Sequence, residues 1–91
     1  MNIIIDKEPT YKEILSNISD KQKLILYAIA KEGVASQVTS ASFIKKYSLP
    51  SASSVQSALS KLIEKGIVTE RNKEYIVADR FFGLWIKDIL L

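Results

Sequence analysis

Leu49-Pro50-Ser51-Ala52-Ser53-Ser54-Val55-Gln56-Ser57-Ala58-Leu59-Ser60-Lys61-Leu62-Ile63-Glu64-Lys65-Gly66-Ile67-Val68 holds a break, a helix start, a helix and a change of period in one short run. Proline disfavours the α conformation in the residue before it, so a preceding helix must end ahead of Leu49-Pro50. Ser51 follows as an N-cap, its hydroxyl able to take a free amide of the next helix. Val55, Ala58, Leu59, Leu62 and Ile63 recur at helical spacing, and Gly66 supplies the stop, which predicts a helix over 52–65. From Ile67 onward the spacing becomes that of a strand.

Downstream, segments 67–70 and 74–78 are β-rich and flank the polar turn Arg71-Asn72-Lys73, which predicts a hairpin. Asp79 can then cap a last helix from Arg80 to about Leu90, with Phe81, Phe82, Trp85, Ile86 and Ile89 on one broad apolar face. Upstream, Thr39 or Ser40 caps a short helix that contains Phe43, Ile44 and Tyr47. Val34 to Val38 reads as a brief edge strand or extended turn. Further back, Ser19-Asp20-Lys21-Gln22 has the spacing of a capping box and opens a helix through Leu24, Ile25, Ala28 and Ile29 that stops at Gly33. Apolar on most sides, that helix is expected at the centre. Pro9-Thr10 opens a first helix to about Asn17, with Tyr11, Ile14, Leu15 and Ile18 inward.

Helix, short strand, helix, tight Leu-Pro turn, helix and hairpin is the order of a winged helix-turn-helix domain, mainly α with a small β-hairpin. Residues 10–91 are expected to form it, with 1–9 as an extension or linker. The expected shared core is Leu24, Ala28, Phe43, Val55, Leu59, Leu62, Tyr75 and Val77.

The composition limits the chemistry. The chain has 91 residues, 47% apolar and 25% charged, which suits one domain with a small core. Cysteine and histidine are absent, so disulfides, thiolate nucleophiles, Cys/His zinc sites and imidazole bases are all excluded. Three glycines, Gly33, Gly66 and Gly83, cannot build a phosphate loop or a dinucleotide fingerprint. The carboxylates are scattered among lysines as solvated faces and caps. No enzyme, cofactor or metal site is expected in this chain. Its longest apolar run, Leu24 to Ala30, is too short for the roughly 20 residues of a membrane span, and the start lacks the features of a secretory signal. A cytoplasmic location with no membrane contact is the expectation.

The net charge of +3 is unevenly placed. Between Gly33 and Ile63 there is no carboxylate side chain, while Lys45, Lys46 and Lys61 lie in that window, giving a mildly positive face suited to phosphate. On the 52–65 helix, Ser53, Ser57, Ser60 and Glu64 point away from the apolar stripe, with Gln56 and Lys61 at its flanks. Small hydroxyl residues let a helix approach a phosphate backbone, and Gln56 can read an adenine edge. The candidate nucleic-acid residues are therefore Lys45, Lys46, Ser53, Gln56, Ser57, Ser60, Lys61, Arg71 and Lys73, and DNA is the candidate partner. Two features oppose this: Glu64 would repel phosphate, and Glu70 and Glu74 cancel the wing cations. The competing reading is a docking module without DNA binding, in which Phe82, Trp85 and Ile89 form an exposed patch against a second copy or another module.

Three strings carry a resemblance: Leu49-Pro50-Ser51-Ala52-Ser53-Ser54-Val55-Gln56-Ser57-Ala58-Leu59, Leu62-Ile63-Glu64-Lys65-Gly66-Ile67-Val68 and Asp79-Arg80-Phe81-Phe82-Gly83-Leu84-Trp85. Together with Ser19-Asp20-Lys21-Gln22 and Ala30-Lys31-Glu32-Gly33, they resemble the C-terminal winged-helix domain of archaeal-type P-loop ATPases of the STAND branch of the AAA+ superfamily. The likeness spans roughly residues 10 to 90. One departure is Arg80, where that family often has proline after the aspartate; the Asp79 cap does not require proline. The resemblance implies an accessory domain whose ATP, Mg²⁺ and hydrolysis belong to a separate module, with no catalytic residue in this chain.

Overall fold

The computed structural model describes residues 7–90; the expected extension falls largely on residues 1–6, outside the described part, as does Leu91. The elements are α1 (Glu8–Ser16), α2 (Asp20–Glu32), β1 (Ala35–Ser36), α3 (Ala41–Lys46), α4 (Ala52–Glu64), β2 (Val68–Arg71), β3 (Glu74–Val77) and α5 (Arg80–Trp85), which continues as a π-helical turn, Ile86–Leu90. No helix among the described residues is long and apolar enough to cross a membrane.

Local sequence sets the helix starts. Ser19 Oγ accepts from the Gln22 amide at 3.2 Å, and Gln22 Oε1 accepts from the Ser19 amide at 3.3 Å, completing the capping box. Ser40 Oγ accepts from the Phe43 amide and Ser51 Oγ from the Ser54 amide, each at 3.2 Å. Asp79 Oδ1 accepts from Phe81 and Phe82, at 2.9 and 3.2 Å. With Arg80 in the first helical position, the cap holds without proline. Gly33 (φ 79°) ends α2 and Gly66 (φ 75°) follows α4, both in a region that costs a side chain energy.

The hydrophobic core collects around α2, whose Ile25, Leu26, Ala28, Ile29 and Ala30 are buried. Against it lie Val55, Ala58, Leu59 and Leu62 of α4, Phe43 of α3, Val68 and Val77 of the sheet, and Phe82, Trp85 and Ile86. Two expected core members differ. Leu24 is 42% exposed because the inward arc of α2 centres on Ile25, Leu26 and Ile29, and position 24 lies beyond its edge. Tyr75 is half-buried: its ring packs on the core while its hydroxyl reaches Glu70 Oε2 at 3.3 Å.

β1 joins the hairpin, making a three-stranded antiparallel sheet of order β1-β3-β2. Ala35 pairs with Tyr75 and Ser36 with Glu74, so the short 34–38 segment is a genuine edge strand. In the hairpin, Val68 pairs with Val77 and Arg71 with Glu74, which makes Arg71 the last strand residue rather than part of the turn. The turn is Asn72-Lys73, with φ 54° and 64°, both positive as a two-residue type I′ connection requires.

The face proposed for docking is largely internal. Phe82 is 2% and Trp85 1% exposed, because α1 lies over them. The Tyr11 ring stacks on Phe82 at 4.9 Å and sits 5.4 Å from Trp85, and Trp85 Nε1 donates to Glu8 Oε1 at 3.4 Å. Of the three residues only Ile89 is exposed. The π-helical turn explains the separation: its wider i→i+5 bonding advances fewer degrees per residue, so Ile86 stays buried while Ile89 swings outward.

Candidate nucleic-acid interface

α3 and α4 form the helix-turn-helix. α3 ends at Lys46; Ser48 then takes a positive φ of 53°, and the Leu49 amide donates back to the Ile44 carbonyl at 2.9 Å. This tight return, with Leu49 buried and Pro50 outside, turns the chain into the Ser51 cap of α4. α4 packs chiefly on α2 and on β2. Its opposite face stands clear: Ser53, Gln56, Ser57, Ser60 and Lys61 are all exposed.

The structure sorts the expected cations into two kinds. Lys46 is held by Glu32 at the end of α2, Nζ to Oε2 at 2.9 Å, and its ammonium also lies 5.3 Å from the centre of the Tyr47 ring. The Tyr47 hydroxyl donates to the same Glu32 oxygen. The hydrogen bond from Tyr47, followed by that from Lys46, holds the Glu32 carboxyl below its ordinary range. Lys46 thus ties α3 to α2. Lys61 meets Glu64 at 3.7 Å, a solvent-exposed pair of little strength. Lys45, Arg71 and Lys73 make no ion pair among the described residues.

Two clefts flank α4. On the wing side, Gln56 faces Asn72, Lys73, Tyr75, Glu70 and Glu74 across a groove that the β1–α3 loop, through Gln37 and Thr39, also borders. Gln56 and the turn residue Lys73 are therefore brought together, and Arg71 lies opposite Glu74 in the strand register beside them. On the other side, a cleft between α4 and the start of α2 is lined by Ser19, Lys21, Gln22, Ser54, Ser57 and Lys61, with Ala58 at its floor. Lys21, Gln37 and Thr39 had no place among the candidates. Lys21 stood inside the capping box, where the pattern explains the helix start and says nothing about the neighbouring helix. Only the packing of α2 on α4 brings it beside Lys61.

Compared with known proteins, the chain matches a family model described as a probable winged helix domain, over residues 9–88. Neither the comparison with curated proteins nor that with solved structures gave a match. The match runs from within the helix that covers Phe82 and Trp85 into the π-helical turn, with every element between them included. With the order of elements, the three-stranded sheet and the exposed second helix of the helix-turn-helix, it makes this chain a member of the probable winged helix domain family.

Proposed function

We propose that the chain is a nucleic-acid-binding winged-helix module that lays the outer face of α4 against duplex DNA. The observation that carries this reading is the bareness of that face: Ser53, Ser57 and Ser60 offer small donors on an exposed helix, with Gln56 at one flank and Lys61 at the other. Small side chains permit close approach to the backbone, and an amide is suited to an adenine edge. Lys45, Arg71 and Lys73 add cations without ion-pair partners among the described residues. The carboxylates near them favour weak and largely sequence-independent binding. The resemblance of the Leu49–Leu59 and Asp79–Trp85 strings further supports a parent that is a cytoplasmic P-loop ATPase, with ATP and Mg²⁺ held in its catalytic module.

Fluorescence anisotropy with a labelled duplex at low salt tests the DNA reading. With about two to four phosphates neutralised, the log–log dependence of affinity on salt has a slope of about −1.8 to −3.6. Absence of saturable binding up to about 100 μM protein rejects the reading.

A second reading, an intramolecular or protein-docking module, is favoured by one observation. Phe81, Leu84, Ile89 and Leu90 of the last helix are exposed, each between 37 and 46%. Sedimentation of the isolated domain over a wide concentration range detects self-association through this surface.

A further inference from the structure

The two clefts beside α4 differ in what they offer a phosphate. The wing cleft is lined by Glu70 and Glu74, and only Lys73 among its lining residues is a cation. The cleft toward α2 has no carboxylate among its lining residues. Lys21 and Lys61 come from separate helices to line it, with the hydroxyls of Ser19, Ser54 and Ser57 between. Ser19 Oγ accepts the Gln22 amide, which leaves its O–H free to donate. Two carboxylates lie nearby. Asp20 pairs with Lys23 at 3.9 Å, and Glu64 meets Lys61 at 3.7 Å; both carboxylates are solvent-exposed. Lys21 makes no ion pair among the described residues.

We infer that the cleft between the start of α2 and the flank of α4 is a backbone-phosphate subsite, with Lys21 and Lys61 as its two cations and Ser57 as a hydroxyl donor. The inference rests on the proposed DNA reading and sharpens it: the duplex backbone is held on the α2 side of α4, and the wing contributes little attraction. Two lysines from different helices border the same cleft, and neither has to be withdrawn from a buried partner to meet an oxyanion there. A phosphate placed there also touches the flank of α4, where its register fixes the depth of Ser53 and Gln56 over the bases.

The test compares Lys21→Gln with Lys73→Gln in anisotropy titrations of a mixed-sequence duplex over a range of salt. Lys21 is exposed on the first turn of α2, so glutamine there leaves the melting temperature unchanged. Loss of one phosphate contact lowers the salt slope by about 0.9. Referred to 1 M salt, that slope corresponds to about fifteenfold weaker binding at 50 mM and about fivefold at 150 mM. Lys73→Gln should change affinity less than twofold. If wild type binds and Lys21→Gln leaves both affinity and slope unaltered, the subsite is wrong while the DNA reading stands. If wild type does not bind the duplex, inorganic phosphate is titrated at constant ionic strength and the backbone amides are followed by NMR. Shifts at Ser57 and Lys61 that vanish in Lys21→Gln keep the subsite without DNA, and their absence overturns both.

Discussion

On one flank of α4, Lys21 and Lys61 line a cleft furnished with serine hydroxyls; on the other, Glu70 and Glu74 line the groove that Gln56 shares with the wing. Both flanks belong to the same helix, so its own sequence does not distinguish them. The difference arises in the partners that the topology brings alongside. One is a helix start, where the chain has a lysine in the first turn, and the other is a hairpin with acids bracketing its cations. Here the register sets Arg71 opposite Glu74, and the basic side lies on the far face of α4.

The widest test removes what the flanks share. Leu59 of α4 is buried against α2, and Leu59→Ala should cost about 2–5 kcal/mol through lost burial and a cavity. Chemical denaturation measures it, and duplex binding should fall in proportion to the folded fraction with no change in salt slope. If binding is lost while the fold persists, the two flanks do not share a rigid helix.

The acidic flank can then be inverted. Glu70→Gln with Glu74→Gln removes two negative charges from the wing groove, and duplex affinity at low salt should rise severalfold, an effect that shrinks as salt screens it. An unchanged affinity would place the duplex away from the wing altogether. The wing's shape can be separated from its charge with Lys73→Gly. Position 73 has a positive φ in a turn that favours glycine, so this change should stabilise the domain by about 0.5–1 kcal/mol, read as a higher melting temperature. Destabilisation would mean that the Lys73 side chain holds the hairpin by contacts outweighing its backbone strain.

The smallest effect concerns Glu32, outside both flanks. Its folded carboxyl titrates below its ordinary range, chiefly through the Tyr47 hydrogen bond and then through Lys46. A lowered folded value means that the contribution to stability is complete above the unfolded carboxylate range and disappears as pH falls through the folded one. Thermal melts of wild type should therefore lose stability over that acid window more steeply than melts of Glu32→Gln. The same variant releases Lys46, so a rise in duplex affinity at neutral pH would show that α3 faces the nucleic acid.

Much of this architecture was legible because each element is punctuated by residues with one dominant reason to be there. Ser19, Ser40, Ser51 and Asp79 all cap the helices they precede, and Gly33 and Gly66 lie at the ends of two of them. The candidate site was legible in part. The exposed face of α4 follows from helical period alone, since its apolar stripe leaves the serines no other side. What periodicity does not encode is which neighbour covers a surface. The apolar face of Phe82 and Trp85 reads as available only while α1 is treated as separate, and stacking of Tyr11 takes it out of solvent. Lys46 reads as a free cation until Glu32, fourteen residues away, is brought to 2.9 Å. Lys21 was hidden for the opposite reason, because its helix and α4 meet only in three dimensions.

Gly83 in α5 lies so close to β3 that a side chain there would place its Cβ 3.3 Å from that of Val77. β3 is the central strand of the sheet and carries Tyr75 into the wing groove. The helix backbone therefore lies directly on the Val77 side chain, while Phe82 and Trp85 of the same helix pack on Tyr11 of α1. How closely the last helix seats on the central strand is thus set by one missing methyl, since Gly83→Ala would force Val77 or the helix to give by a few tenths of an ångström.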